Sequence, residues 1–370
     1  MKVGLGTTIL SRGKASGKID GIGLYTRHLL EHLPPTGIEV SRFGFTQNNK
    51  DENIVALGKF PPQAIMSTLT GTPFYCSRKI EQNVRLFHAT DHQIPKLKNT
   101  TVIATIMDPI PLKHPEWVSG RYQGLKKVIF KRMGQWADHI ITISEYSANE
   151  IEKHFSIPRS QISVIPLGVD EECFNRISKE KRDEVLSRYN LASEYFVCIG
   201  TLQPRKNITR LLDAFLQLPQ ELQREHPLVI IGRNGWNCES LVERLNKLKN
   251  SKRVFWLDYV SFEDKYALIQ SSLAMVFPSL YEGFGLPLLE AFASDIPVIT
   301  SNITSLPEVA ADAAIFVDPY SVDDIRQAML SIATDSALRC KMRLLGRERV
   351  KSFSWRHTAE QTASIYRQML

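Results

Sequence analysis

Short apolar runs alternate with longer amphipathic stretches along the whole chain. The runs at 1–6, 38–45, 85–88, 101–106, 138–143 and 161–165 are short and rich in β-branched residues, which predicts strands. Between them, segments such as "GIGLYTRHLLEHL" and "SEYSANEIEKHF" repeat apolar residues at the spacing of one helix face. The same alternation returns more clearly at 195–201, 228–232, 253–257, 274–278, 296–300 and 314–317. Strands such as "LVIIG" and "AMVFP" have no polar face to turn to water, so helices must cover both sides of their sheet. The pattern predicts an α/β protein with two doubly wound, Rossmann-like domains facing across a cleft, each with a crevice at the carboxyl ends of its strands.

At 370 residues the chain exceeds what a single core usually fills. A seam is expected at "VIPLGVDEECF", where Pro166 and Gly168 precede acidic residues and a charged helix follows. The domains are therefore placed at 1–168 and 169–354, with the amphipathic segment 355–370 packing back on the first.

Composition narrows the function classes. The five cysteines (Cys76, Cys173, Cys198, Cys238 and Cys340) are scattered and form no C-x-x-C pair, so neither a disulfide framework nor a thiolate metal site is expected. "MKVGLGTTIL" reads as a first strand with no leader before it, and the most uncharged window, "LIQSSLAMVFPSLY", is too short and polar to span a bilayer. A cytoplasmic protein is the expectation. The net charge of +7 is uneven, with +6 of it in residues 1–180. That excess suits either an anionic partner or an ordinary solubilising surface. Nucleic acid is not expected, because the aromatics are not interleaved with the cations as stacking platforms.

The chemistry concentrates in "SLYEGFGLPLLEAF" (279–292). It follows a buried strand, and Pro287 sits where a first helical turn should start. Gly283 and Gly285 thus fall in a strand-to-helix turn where backbone amides and a helix amino terminus favour phosphate. Glu282 just before the turn and Glu290, expected in the first helical turn, are placed to accept hydrogen bonds from sugar hydroxyls on either side. A sugar, a diphosphate and a ribose in a row would satisfy all of these groups. In "CIGTLQPRKNITRLLDAF", Arg205 and Lys206 end a second strand-to-helix loop, a guanidinium fork beside an ammonium as a departing diphosphate requires. No Asp-x-Asp pair exists to hold a divalent cation, so these two charges would stand in its place: metal ligands, none; cofactors, none. "GKIDGIGLYTRHLLEHL" puts Gly21 and Gly23 just before a helix, where backbone could approach the same diphosphate, and the preceding "SRGKASGK" suggests a loop that orders on binding.

Together "GIGLYTRHLL", "TIMDPIPLKHPEW", "ITISEYSANEI", "VIPLGVDEECF", "GTLQPRKNITRLLDAF", "YEGFGLPLLEAFASDIPVITSNITSLPEV" and "SFSWRHTA" resemble, in order, the recurring segments of retaining glycosyltransferases of family 4, which have the GT-B fold. The resemblance covers nearly the whole chain and leans toward bacterial mannosyltransferases that build lipopolysaccharide O-antigen chains. It implies that Glu282 contacts donor-sugar hydroxyls and that Glu290 holds the ribose. Backbone at Phe284, Gly285 and Leu286 would reach sugar and phosphate, while Arg205 and Lys206 stabilise the leaving nucleotide. The loops "GRNGWNC" and "WLDYVS" would neighbour the base. Relatives commonly carry His-Asp where this chain has Met107-Asp108, so Asp108 would act without the imidazole, or the donor lacks the hydroxyl that it would meet.

The resulting expectation is transfer of a hexose, mannose or a 6-deoxyhexose, from a GDP-sugar to a glycan acceptor with retention of configuration. The acceptor is expected on a polyprenyl diphosphate or a polysaccharide, with a UDP- or dTDP-sugar as the alternative donor. A glycoside hydrolase or phosphorylase using Glu282 and Glu290 as its carboxyl pair is the competing class. Two further segments carry lesser signals. His88 and His92 in "FHATDHQIP" have metal-like spacing but sit in a loop context that favours acceptor contact. "RYQGLKKVIFKRMGQW" (121–136) is a basic amphipathic helix suited either to core packing or to the anionic inner face of the cytoplasmic membrane.

Overall fold

The computed structural model describes residues 1–17, 19–46, 53–117 and 123–370. The chain forms two compact units, Met1–Gly168 together with Ser354–Leu370, and Val169–Phe353. The first unit is built on a parallel sheet of β1 (Lys2–Gly6), β2 (Glu39–Gly44), β3 (Ile54–Ala56), β4 (Leu86–Ala89), β5 (Thr101–Thr105), β6 (His139–Thr142) and β7 (Ile162–Val164), in the order β3-β2-β1-β4-β5-β6-β7. The second holds β8 (Tyr195–Ile199), β9 (Leu228–Ile231), β10 (Val254–Leu257), β11 (Ser272–Phe277), β12 (Val298–Ser301) and β13 (Ile315–Val317), in the order β10-β9-β8-β11-β12-β13. Every described strand pair is parallel.

All predicted strands are present. The sequence pattern missed β3, a three-residue edge strand too short to show any period. Strands at the centre of each sheet are buried on both faces, as in β11 with every residue buried, which is why they read as unbroken apolar runs. In the second unit Phe196, Cys198, Phe215, Leu228, Val276 and Ile299 lie in one core between sheet and helices. Strand order reverses between β8 and β11, so the crevice past their carboxyl ends is the topological switch point where ligands of such sheets bind.

One departure concerns the first unit: "SRGKAS" is not a loop but the latter part of a helix over Thr8–Ser16, and Lys18 lies outside the described residues. The C-terminal helix Trp355–Gln368 packs on this unit: Trp355 stacks on His28 at 4.4 Å, and Tyr366 Oη lies 2.6 Å from His88 Nδ1.

Candidate functional site

The switch point of the second unit collects the strongest charges that the sequence singled out. After β8 the chain passes through a tight turn at Pro204–Lys206, and Asn207, at φ 59°, caps the next helix. The Asn207 amide donates to Pro278 O at 3.0 Å and Pro319 O at 2.7 Å, tying this turn to the segments after β11 and β13. Leu280 N donates to Arg205 O at 2.7 Å, so the two loops are also joined by backbone.

Glu282, only 8% exposed, receives both cations: Arg205 Nη1 donates to Oε2 at 2.9 Å and Lys206 Nζ to Oε1 at 2.6 Å. Arg205 also donates to Tyr281 O at 3.1 Å and to Gln203 Oε1 at 3.1 Å, which fixes the plane of its guanidinium. Lys206 Nζ lies 4.6 Å from the centre of the Phe277 ring. Burial would raise the Glu282 carboxyl, but the Arg205 and Lys206 charges outweigh it and bring it down to about 2. Burial pushes the Lys206 ammonium below its ordinary range, against the pull of Glu282. The site is therefore an acid wedged between two cations, short of one negative charge. An anionic ligand would fill that deficit.

The turn beyond Glu282 is held rigid. Ser305 Oγ donates to Glu282 O at 2.9 Å and to Phe284 O at 3.1 Å. Gly285 caps the helix Leu286–Ala293 at φ 114°, and a Cβ there would stand 2.8 Å from Leu306 Cδ2, so only glycine fits. Phe284 is buried against Phe353, ring centres 5.8 Å apart, and so offers a ligand its backbone and not its ring. Leu286 opens the helix and Pro287 follows it. Glu290 corrects the sequence reading: as the fifth residue of that helix it lies in the second turn. Lys265 Nζ donates to its Oε1 at 2.6 Å. Past β9, Gly232 lets the backbone of the "GRNGWNC" loop touch that of Gly200, since a Cβ would come within 1.9 Å of Gly200 O. Arg233 of that loop lies over Tyr259 of "WLDYVS" at 4.9 Å.

In the first unit, Gly21 and Gly23 do not precede their helix but form the first turn of Gly21–His32. Asp20 caps it, accepting from Gly23 N at 2.8 Å, so a carboxylate already occupies the amide that was expected to meet a diphosphate. Nothing lies within 4 Å of a Cβ built on Gly21. Asp108, past β5, accepts from Ile110 N at 3.0 Å and starts a short helical turn. His88 is part of β4 and uses both ring nitrogens, on Tyr366 and on Thr105 Oγ1 at 2.7 Å, so it cannot pair with His92 around a metal. The next turn is different: Asp91 Oδ2, His92 Nε2 and Gln93 Oε1 are buried without hydrogen-bond partners.

Sequence reasoning found Arg205 and Lys206 as a pair and Glu282 apart from them, but not that both cations bond to that acid. Ser305 and Lys265 it did not find at all: both lie in ordinary helical or loop sequence, and only the fold brings them to the turn.

Two Rossmann-like units with this site at the switch point define the GT-B class of sugar-transferring enzymes. The family model "Glycosyltransferase Family 4" matches residues 19–172 and "Glycosyl transferases group 1" matches 181–349. The O-antigen chain mannosyltransferase B of Escherichia coli is 33% identical over 298 residues, 80% of this chain and 73% of that protein. The serotype-specific mannosyltransferase WbdA of E. coli is 32% identical over 263 residues, 68% of this chain but only 31% of that longer protein. In fold, the chain resembles Anabaena Alr3699/HepE, solved in complex with UDP-glucose, with a TM-score of 0.76 at 15% identity over the full length of both. The chain belongs to the family 4 glycosyltransferases.

Proposed function

We propose that the chain moves a hexose, mannose or a 6-deoxy relative, from a GDP-sugar to a glycan acceptor in O-antigen synthesis, retaining the anomeric configuration. The observation that carries this reading is the convergence of Arg205 and Lys206 on Glu282 at the switch point of the second unit. The mannosyltransferases among the relatives supply the sugar. When the donor binds, its diphosphate takes over the two cations, and Glu282, released from them, accepts hydrogen bonds from the donor hydroxyls. The cations and the amides around Gly285 then carry the charge that develops as the sugar–phosphate bond breaks, work that a divalent ion does elsewhere. Departure and attack occur on one face, and the leaving phosphate takes the acceptor's proton. Glu290 and Lys265 hold the ribose.

A hydrolase would need one carboxyl protonated as the acid. Glu282 is held ionised and Glu290 is ion-paired to Lys265, so neither suits that role. On the acceptor side, the unpartnered Asp91, His92 and Gln93 atoms suit hydroxyls of a glycan. A polyprenyl-diphosphate carrier and the inner membrane surface fit the helix Gln123–Gly134, which exposes Leu125 and Val128 beside Lys126 and Lys127. Arg121 and Tyr122 of that segment lie outside the described residues. Among the described residues no helix is long and apolar enough to cross a membrane.

Thermal unfolding with GDP, UDP, dTDP, ADP and their sugars tests the donor assignment, since a ligand of the folded state raises the midpoint by mass action. GDP and a GDP-hexose should give the largest shifts, and a larger shift with UDP or dTDP would move the donor to that base. Met107→His should change the relative rates with mannose and 6-deoxyhexose donors. Equal rates in both proteins would remove Met107 from donor selection.

A further inference from the structure

The second unit has a cationic cavity at the other end of its sheet. Ser193 and Glu194 precede β8, Ser272 begins β11, and Ile296 and Pro297 precede β12, so these lining residues stand at the amino ends of the strands that lead to Arg205 and Glu282. The cavity encloses about 470 Å³. Arg176, Lys179, Arg182, Arg339 and Arg343 line it, against the carboxylates of Asp183, Glu194 and Asp295. The positive charge is thus in excess.

The local bonding leaves that excess unmet. Asp295 is buried and accepts from Arg176 at 2.8 Å and from Arg343 Nη2 at 2.5 Å, and it also takes Arg347. One carboxylate therefore serves three guanidiniums. Burial would raise its carboxyl, but hydrogen bonds from Arg347, Arg343 and Arg176 hold it well below the usual range. Arg182 spends Nη1 on Gln270 O at 3.2 Å, and Arg339 spends Nη1 on Ile332 O at 2.7 Å and Ala333 O at 3.0 Å. These are neutral acceptors that leave the charges uncompensated. Two donors have nothing: Ser294 Oγ, on a residue 2% exposed that lines the cavity, and Arg182 Nε, both buried without a hydrogen-bond partner. Buried donors left unmade in a native fold point to a missing acceptor.

An acceptor for a hydroxyl, a guanidinium edge and an ammonium together is an anion with several oxygens, and forked guanidiniums match phosphoryl geometry. We propose that this cavity is a binding site for a phosphoryl group, free or carried on a small metabolite, separate from the donor site. Glu194 and Asp183, which also line it, would accept hydroxyls of an ester. The site would let the concentration of a phosphorylated compound act on the unit that holds the donor.

Calorimetric titration with inorganic phosphate and with a hexose 6-phosphate, at ionic strength matched with sodium chloride, tests it. The wild type and Arg205→Ala should both bind saturably, because Arg205 is at the far end of the sheet. Lys179→Glu, an exposed position that leaves the fold alone, and Arg182→Glu should each weaken binding at least tenfold. Equal affinity for the two probes assigns the site to the bare phosphoryl group; tighter binding of the ester assigns it to a phosphorylated metabolite. No saturable binding of either probe to the wild type overturns the proposal. So does binding that Arg205→Ala abolishes and Lys179→Glu spares, which places the phosphate at the donor site instead. Donor turnover is not the readout, so failure here leaves the proposed transferase activity to its own test.

Discussion

Glu282 takes both cations of the candidate site. Its carboxyl stands at about 2 in the folded chain, whereas an unfolded glutamate titrates near its ordinary value, about 4.3. A depressed folded value stabilises the fold above the unfolded pKa, and that stabilisation is lost as pH falls through the folded one. Between about pH 4.5 and pH 2 the wild type should therefore lose about 3 kcal/mol that Glu282→Gln does not lose, over the background that other acids give both proteins. Urea unfolding at a series of pH values reads the difference directly. Parallel curves for the two proteins would mean that Glu282 does not bear the charge of Arg205 and Lys206.

The turn and helix that follow β11 make the site an element and not a set of residues. Gly285 at φ 114° starts the helix Leu286–Ala293, and Ser305 pins the Glu282 and Phe284 carbonyls in the turn just before it. Gly285→Ala should cost about 1–3 kcal/mol in equilibrium unfolding, because the backbone must leave its conformation or push Leu306 aside. A stability change under about 0.5 kcal/mol would show the turn to be adaptable. This element was largely readable in the sequence: a buried strand, two glycines, a proline at the first turn and flanking acids have few other meanings. The ion pairs were not. Arg205 and Glu282 lie 77 residues apart, and only the β8–β11 neighbourhood in the sheet, a property of strand order, brings them together. The spacing of Gly21 and Gly23 did not show that they fall inside the helix, with Asp20, one residue before, taking the Gly23 amide. Lys265 left no trace because nothing in "SFEDKYALI" distinguishes a lysine that holds Glu290 from one in water.

Across the molecule the excess positive charge lies in residues 1–180, and there the helix Gln123–Gly134 is joined by apolar side chains on Phe60–Thr70, where Met66 and Leu69 are 59% and 79% exposed. Lysines beside exposed apolar residues are the composition that adheres to an anionic bilayer surface. Reversing Lys126, Lys127 and Lys131 to glutamate should reduce sedimentation with phosphatidylglycerol vesicles several-fold and leave neutral vesicles unaffected; unchanged partitioning would confine this face to solubility. Fold class, family and every strand but the short edge strand β3 were legible because the sheets are regular. Donor base and acceptor depend on a few loop residues whose contacts no periodicity encodes. The central claim is that two cations and main-chain amides stabilise the departing nucleotide without a divalent ion. Nucleotide release from a GDP-hexose in the presence of acceptor and excess chelator tests it most directly. The account predicts full turnover with chelator and a fall of about 10²- to 10³-fold in Arg205→Ala with the fold intact. Turnover that stops on chelation, or survives the loss of Arg205, would contradict it.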